Sequence, residues 1–394
     1  MFNLSNLEFV SLIDDFGAYY LISEVSNYLF CILIVTLFTY FKWVEKKYYI
    51  FWCVYFLTPF LLNFVLFDPS YMPDQWTYMK EINLVKKEGF DEFNFSSILN
   101  LSIGDIKATR LGASSYILNF IPVFSLLSIG SLAFLNKLLA FLLFVFLSRR
   151  IETKYLVLFF IIPSFIIYSS LSLRETLILT LSSVSIVYLI EKKIILSLIF
   201  IVILTLVKLQ NAPGFVVLWM LTFLFSADKS YLRLWGLTFL GIVALILSFD
   251  IYSPIINLYR MAWAVEDGLP LMFAQELEIT SVFQLISLTL SETPRFLVKP
   301  YLWEISNPLQ LFVGIESLIL LYVLFRLIIK ENFYKTKECQ ILLICMTTTL
   351  ALYAVTVWNF GTLARYRFIA FFPYLLGIFY AKQLFSRRVN FATA

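Results

Sequence analysis

Histidine is absent from this sequence of 394 residues. Its absence excludes every mechanism that depends on an imidazole, including a His-ligated metal centre, a His general base and a His-dependent membrane acyltransferase. Cysteine is scarce as well, because the chain has four Cys residues and they form no CxxC pair. We therefore expect no metal site, no cofactor and no disulfide framework.

Charge is also scarce, at 14% of residues, whereas 61% are hydrophobic and the mean hydropathy is +0.86. Soluble proteins carry roughly a quarter charged residues. Several runs of about twenty uncharged residues are long enough to cross a bilayer as helices. The composition therefore predicts an all-α polytopic integral membrane protein of about eleven or twelve transmembrane helices, forming a single membrane domain over residues 1–394.

The apolar runs and the basic residues between them predict the topology. Eleven spans are expected at 25–41, 49–67, 131–148, 155–170, 175–190, 194–208, 213–226, 232–249, 309–326, 340–357 and 368–381. Most basic residues fall in short connections on one side of these spans, and the positive-inside rule makes that side cytoplasmic. These connections are too short to bind a nucleotide, and the net charge of +4 gives no argument for nucleic acid.

The opposite side carries two long loops, 68–110 and 250–308, which we expect to be periplasmic. Residues 113–130 are apolar enough to span, but a full crossing would break the alternation of charge. With Pro122 in the middle, this segment is interpreted as re-entrant or interfacial, and a twelfth span is the alternative.

Charges near the membrane core are costly and therefore need a reason. Arg174 and Glu175 lie between two apolar runs with almost no loop. One interpretation is an Arg–Glu pair, or an Arg that snorkels to lipid headgroups. The other is an Arg that binds an anion at an outward cavity, followed by a carboxylate in the first turn of a helix.

Polar residues also mark two later outward turns. Lys208, Gln210 and Asn211 form either a polar lining or an ordinary turn with a membrane anchor. Arg365 and Arg367, with Tyr366 between them, violate the positive-inside tendency. The guanidinium group of Arg offers paired donors that bind phosphate oxygens well.

The large loop contributes Arg295 and Lys299 as further candidates for the same cationic surface. Arg260 precedes Glu266 and Asp267 and has an alternative role as their ion-pair partner.

The first outer loop opens with carboxylates among aromatic residues, including Asp68, Asp74 and Tyr78. This composition is common where proteins contact carbohydrate, and it is equally typical of an interfacial aromatic belt. Lys137 and Glu316 lie inside apolar runs, where a structural contact and a catalytic role are equally open.

The chain resembles the bacterial O-antigen and exopolysaccharide polymerases (Wzy-type). The matching stretches are Asp74-Gln-Trp-Thr-Tyr78, Tyr116-Ile-Leu-Asn119, Leu173-Arg-Glu-Thr176, Lys208-Leu-Gln-Asn211 and Arg365-Tyr-Arg367. Each stretch is only a few residues long, although the plan of spans and outward loops matches along most of the chain. Relatives often place a His near Gln210 or Asn211, and this chain has none.

The resemblance implies transfer of an undecaprenyl-diphosphate-linked glycan onto a lipid-linked repeat unit at the periplasmic face of the bacterial inner membrane. No metal or cofactor is required, because the donor is already activated. In this scheme Arg174, Arg365 and Arg367 stabilise the departing diphosphate, and Glu175 or Asp74 is the general base. The expected substrate contacts are Lys208, Gln210, Asn211, Tyr78, Tyr366, Arg295 and Lys299. A chain-length regulator and a flippase are expected partners.

Three alternatives remain open at this level. A flippase for lipid-linked oligosaccharides shares the substrate and the buried cations, but it does not require two long outer loops. An O-antigen ligase shares both the architecture and the cationic site. A glycosyltransferase that uses a polyprenyl-monophosphate sugar is less favoured, because Asp68 and Asp74 are not the adjacent acidic pair common in that class.

Overall fold

The structure is a computed structural model that describes residues 6–66, 74, 75, 78, 114, 117, 129–208, 211–225, 231–266, 277–301, 303–305, 308–357 and 360–393. The described residues are mainly helical, and no strand occurs among them. This confirms the predicted all-α class. Most of loop 68–110 and of segment 113–130 lies outside the described residues, so their interpretation stays a prediction.

The chain divides into two compact units, and the first comprises residues 1–161 and 165–177. Its helices are α1 (Asn6–Tyr40), α2 (Tyr49–Tyr55), α3 (Thr58–Phe60), α4 (Ile129–Ser148), α5 (Thr153–Phe160) and most of α6 (Pro163–Ser169). The core of this unit is aromatic, and its centre is the fully buried Trp52. The Trp52 ring lies 5.0 Å from the rings of Phe141 and Phe144 and 5.6 Å from that of Phe160. These edge-to-face contacts bring α2, α4 and α5 together.

The second unit comprises residues 162–164 and 178–394. It holds most of α7 (Glu175–Ile190) and then α8 (Ile194–Val207), α9 (Ala212–Phe225), α10 (Tyr231–Leu247), α11 (Phe249–Glu266), α12 (Val282–Val298), α13 (Pro308–Ile329), α14 (Lys337–Thr356) and α15 (Phe360–Thr393). Helix α14 is the centre of this unit and contacts α9, α11, α12 and α15. A Cβ at Gly214 of α9 would lie 1.9 Å from Oγ1 of Thr349 on α14, so α9 approaches α14 too closely for any larger residue.

Five of the described helices are long and apolar enough to cross a membrane. They are Ile22–Tyr40, Gly130–Ser148, Gln310–Ile329, Lys337–Thr356 and Thr362–Arg387. A sixth arises if Trp235–Ala244 and Phe249–Met261, which are bent by 76°, are one broken span. The apolar helices α7, α8 and α9 have 16, 14 and 14 residues, fewer than the about twenty that a bilayer requires. A membrane protein is therefore supported, whereas the predicted eleven or twelve spans stay a prediction.

Two expected spans are not continuous helices. The run 155–170 divides into α5 and α6, because Pro163 cannot donate the N–H that would continue the first helix. The run 49–67 divides into α2, α3 and the π-helical turn Leu61–Leu66.

Two other segments contain more helix than expected. The last predicted span, 368–381, lies within the much longer α15. The predicted loop 250–308 contains most of α11 and the whole of α12.

Candidate functional site

Residues 170–174, which we call the helix break, separate α6 from α7 and are not helical. They lie between two apolar helices, and four of the five residues, Ser170, Leu171, Ser172 and Leu173, are almost fully buried. Lipid offers no hydrogen-bond partner to the N–H and C=O groups of non-helical backbone. Such a break is therefore stable only if protein side chains satisfy those groups.

Amide side chains satisfy three carbonyl groups of the helix break. Asn136 of α4 donates from Nδ2 to the carbonyl oxygens of Leu171 and Leu173, both at 2.6 Å. Asn63 donates from Nδ2 to the carbonyl oxygen of Ser170 at 2.9 Å. Both Asn side chains are buried. The break is thus held in a defined conformation by side chains from distant parts of the chain.

Two further polar side chains hold the break from other directions. Gln75 accepts the backbone N–H of Ser172 at its Oε1, over 2.8 Å. The Nζ of Lys137 donates to Oγ of Ser169 at 2.8 Å and lies 3.7 Å from the centroid of the Tyr55 ring. Lys137, which the sequence left undecided, therefore contacts the end of α6, immediately before the break.

The break ends at the first predicted catalytic pair. Arg174 is its last residue and is half-buried, and Glu175 is the fully buried first residue of α7. The guanidinium carbon of Arg174 lies 5.7 Å from the centroid of the buried Tyr78 ring. Asp74, the second candidate base, is exposed. The structure thus brings Arg174 and Tyr78 together beside the N-terminal, electropositive end of α7.

A second group of predicted residues lies in the second unit, around two buried tyrosines. The Nζ of Lys208 lies 3.6 Å from the ring centroid of Tyr366 and 5.7 Å from that of Tyr353. The Tyr353 hydroxyl donates to Oδ1 of Asn211 over 2.6 Å. Among the described residues, Nδ2 of Asn211 has no hydrogen-bond partner, although it is buried. The Arg365 guanidinium lies 5.9 Å from the Tyr366 ring centroid.

The structure gives two other predicted cations mainly structural contacts. Arg367 donates from Nη1 to the carbonyl oxygens of Leu297 and Lys299, at 2.8 and 2.9 Å. These carbonyls lie at the C-terminal end of α12, where intrahelical donors run out. Arg295 forms an ion pair of 2.7 Å with Glu292, one turn earlier on the same helix, and half of its side chain is exposed. Such surface pairs contribute little to stability.

Arg260 and Glu316 also bond to the backbone. Arg260 donates to the carbonyl oxygens of Leu277 and Val355. Asp267 lies outside the described residues, so the pairing of Arg260 with Glu266 and Asp267 stays a prediction. The carboxylate of Glu316 accepts the backbone N–H of Ser164 over 2.9 Å. Both side chains are largely buried, and their hydrogen bonds meet backbone groups that would otherwise be unpaired.

The predicted site residues thus fall into two groups, one in each unit. Gln210, Asp68 and, except for Ile117, the stretch 116–119 lie outside the described residues. Sequence reasoning missed Asn63, Asn136 and Tyr353. An amide inside an apolar run was an available signal for the two Asn residues, whereas one Tyr among many gave none. The described part of the chain contains no group of three or more Cys, Asp or Glu that could hold a metal ion.

No protein-family model, curated protein or solved structure matches this chain.

Proposed function

We propose that the chain is an O-antigen (surface polysaccharide) polymerase, which transfers an undecaprenyl-diphosphate-linked glycan onto a lipid-linked repeat unit at the periplasmic face of the bacterial inner membrane. The helix break carries this proposal. Three side chains, from Asn63, Gln75 and Asn136, bond to a non-helical segment that ends at Arg174, and Lys137 bonds to Ser169 immediately before it. Polar and charged groups inside a membrane are costly, and they are therefore usually found where a protein binds a ligand or carries out a reaction.

The end of the break suits an anionic ligand. Helix α7 begins immediately after Arg174, and the N-terminal N–H groups of a helix favour a negative charge. An Arg guanidinium offers donors in a planar fork that matches phosphate oxygens. A lipid diphosphate meets both requirements, because it carries its charge at the level of the membrane boundary.

The proposed reaction requires no metal or nucleotide. The acceptor hydroxyl forms a bond to the anomeric carbon of the donor glycan while the bond from that carbon to the diphosphate oxygen breaks. The electron pair leaves with the diphosphate, whose growing charge Arg174 stabilises. The acceptor proton passes to a carboxylate, for which Glu175 is the first candidate and Asp74 the second.

The second group suits contact with the glycan. Tyr353 and Tyr366 present aromatic rings, and Asn211 carries an amide beside them. Aromatic faces pack against sugar rings, while amides bond to sugar hydroxyls. Lys208 and Arg365 add positive charge to the same group. Because Arg367 and Arg295 make structural contacts, we assign them smaller roles than the sequence predicted.

The test is a gel profile of surface polysaccharide from cells in which the gene is deleted and then complemented. Wild type is expected to restore a ladder of repeat units, and Arg174→Ala to leave a single repeat unit on the core. Arg149→Ala is the matched control, because Arg149 is an exposed Arg of the same unit. It is expected to restore the full ladder. Membrane levels of each variant are compared by immunoblot.

Other outcomes identify the alternatives. Loss of even the single-repeat band on deletion would indicate a flippase or a ligase. An unchanged ladder on deletion would contradict the polysaccharide proposal as a whole. A full ladder with Arg174→Ala would contradict the role assigned to the helix break.

A further inference from the structure

Helix α12 lies beside the last turn of α14. Near the start of α12, Val282 and Leu285 pack against a cluster that includes Val355. Near its end, Phe296 stacks on Tyr353 with a centroid distance of 6.3 Å. At about 1.5 Å per residue, these two parts of α12 lie roughly 20 Å apart along its axis. Both parts pack inside the second unit, so α12 is held near its start and near its end.

Helix α12 has three faces, and each has its own chemistry. The face with Val282, Leu285 and Phe296 packs inward. A second face is apolar and exposed, and its members are Phe283, Ile286 and Leu290. The third face is polar, with its members spaced three or four residues apart: Ser281, Gln284, Ser287 and Ser291.

The polar face of α12 borders an open groove of about 520 Å³. Arg260 of α11 lies on the opposite wall, and Phe283 stands at the edge with 83% of its surface exposed. The volume falls within the roughly 300–1,000 Å³ that is usual for small-molecule pockets. The described residues that line this groove include neither the candidates at the helix break nor those around Tyr353.

The donors and acceptors of the groove favour an uncharged ligand. Among the described residues that line it there is no carboxylate, and the guanidinium of Arg260 donates to the carbonyl oxygens of Leu277 and Val355. The remaining polar groups are hydroxyls and an amide, which both donate and accept hydrogen bonds. Oε1 of Gln284 already accepts from Thr280, so the amide offers the groove its Nε2 donors. The exposed Phe283 ring adds an apolar face. Hydroxyl and amide groups beside an aromatic ring match a neutral sugar, whereas a phosphate would require positive charge that is not already used.

We propose that this groove binds neutral sugar residues of the glycan chain during polymerisation. The proposal rests on the proposed function and extends it to a glycan subsite formed by α11 and α12. Ser287 and Gln284 bond to sugar hydroxyls, and Phe283 packs against a ring. Because a held chain stays available for the next transfer, the groove contributes to the length of the product.

The test uses full-length protein purified in detergent, with the lipid-free polysaccharide released from the host by mild acid as the probe. Ser287→Leu and Gln284→Leu each remove polar groups from the groove and place an apolar side chain there. Together they are expected to weaken polysaccharide binding about tenfold, because two hydrogen bonds are lost. Leu290→Ala is the matched control on the exposed apolar face, and it is expected to bind as wild type. Inorganic diphosphate is expected not to compete.

The proposed glycan site would be contradicted if the Ser287→Leu, Gln284→Leu double variant bound polysaccharide with wild-type affinity. Displacement of the polysaccharide by diphosphate would contradict it as well. In cells, the double variant is expected to yield a ladder with a shorter modal length. A ladder of unchanged length would overturn the link to product length. The Arg174→Ala variant separates the two proposals, because it tests the transfer step and leaves polysaccharide binding intact. If it gave a full ladder while the groove variants lost binding, only the proposed function of the helix break would fail.

Discussion

Replacement of Asn136 by Leu is expected to destabilise the protein by about 2–4 kcal/mol. Leu branches at the same carbon as Asn but is larger, so the change removes hydrogen bonds and adds some overpacking instead of opening a cavity. Two bonds of 2.6 Å are lost, and the carbonyl groups of Leu171 and Leu173 are left buried without these donors. An interhelical hydrogen bond in a membrane protein contributes about 0.6–2 kcal/mol, and each unpaired buried carbonyl costs about 1–3 kcal/mol. The Leu171 carbonyl still accepts the N–H of Leu173, so the change leaves one carbonyl unpaired and removes one further hydrogen bond. Together these losses amount to about 1.6–5 kcal/mol, and about 2–4 kcal/mol is the middle of that interval.

The assay is an unfolding titration in mixed detergent micelles, followed by circular dichroism. Ser182→Ala is the control, because the buried Ser182 hydroxyl has no hydrogen-bond partner among the described residues. Removing it is expected to change stability by less than about 0.5 kcal/mol. An Asn136→Leu variant as stable as wild type would refute the account of the helix break. A destabilised variant that still made a full ladder would show that the break does not position Arg174.

Two further predictions use the same titration. Gly214→Ala is expected to cost about 1–3 kcal/mol, because its Cβ overlaps α14, whereas Gly236→Ala, which meets no atom within 4 Å, is expected to be neutral or to stabilise by up to about 1 kcal/mol. Equal effects of the two changes would contradict the close approach of α9 to α14. Arg367→Leu is expected to cost about 2–4 kcal/mol, since two carbonyl groups lose their donor. Wild-type stability with loss of the ladder would instead assign Arg367 to the reaction.

The class of fold was predictable from composition, because a chain this apolar can be stable only when lipid covers it. The individual helices were predictable where the apolar run is uninterrupted. The runs 131–148 and 340–357 correspond closely to α4 and α14. Hydropathy failed where backbone chemistry decides the outcome. It does not register that Pro163 ends a helix, or that α15 continues into polar sequence because its hydrogen bonds do not depend on side-chain polarity.

The charged residues of the candidate site could be predicted from the sequence, but the side chains and backbone groups that they contact could not. Arg174 and Lys208 stand out because a charge in an apolar sequence is costly. The residues that hold them do not stand out, because Asn136 and Tyr353 are distant in sequence from the groups that they contact. The pairing of Asn211 with Tyr353 spans 142 positions and has no local signature. Only the packing of helices brings such partners together.

The outward cations were the strongest functional signal in the sequence, and the structure divides them by what they contact. Arg260 and Arg367 donate to carbonyl groups at the ends of α14 and α12, where helices run out of internal donors. Such contacts account for a buried Arg at these positions without any ligand. Arg174 and Lys208 each lie near a tyrosine ring, in the first and the second unit respectively. Positive charge for the proposed diphosphate is therefore to be sought first at Arg174, and substitution there should reduce polymerisation more than stability.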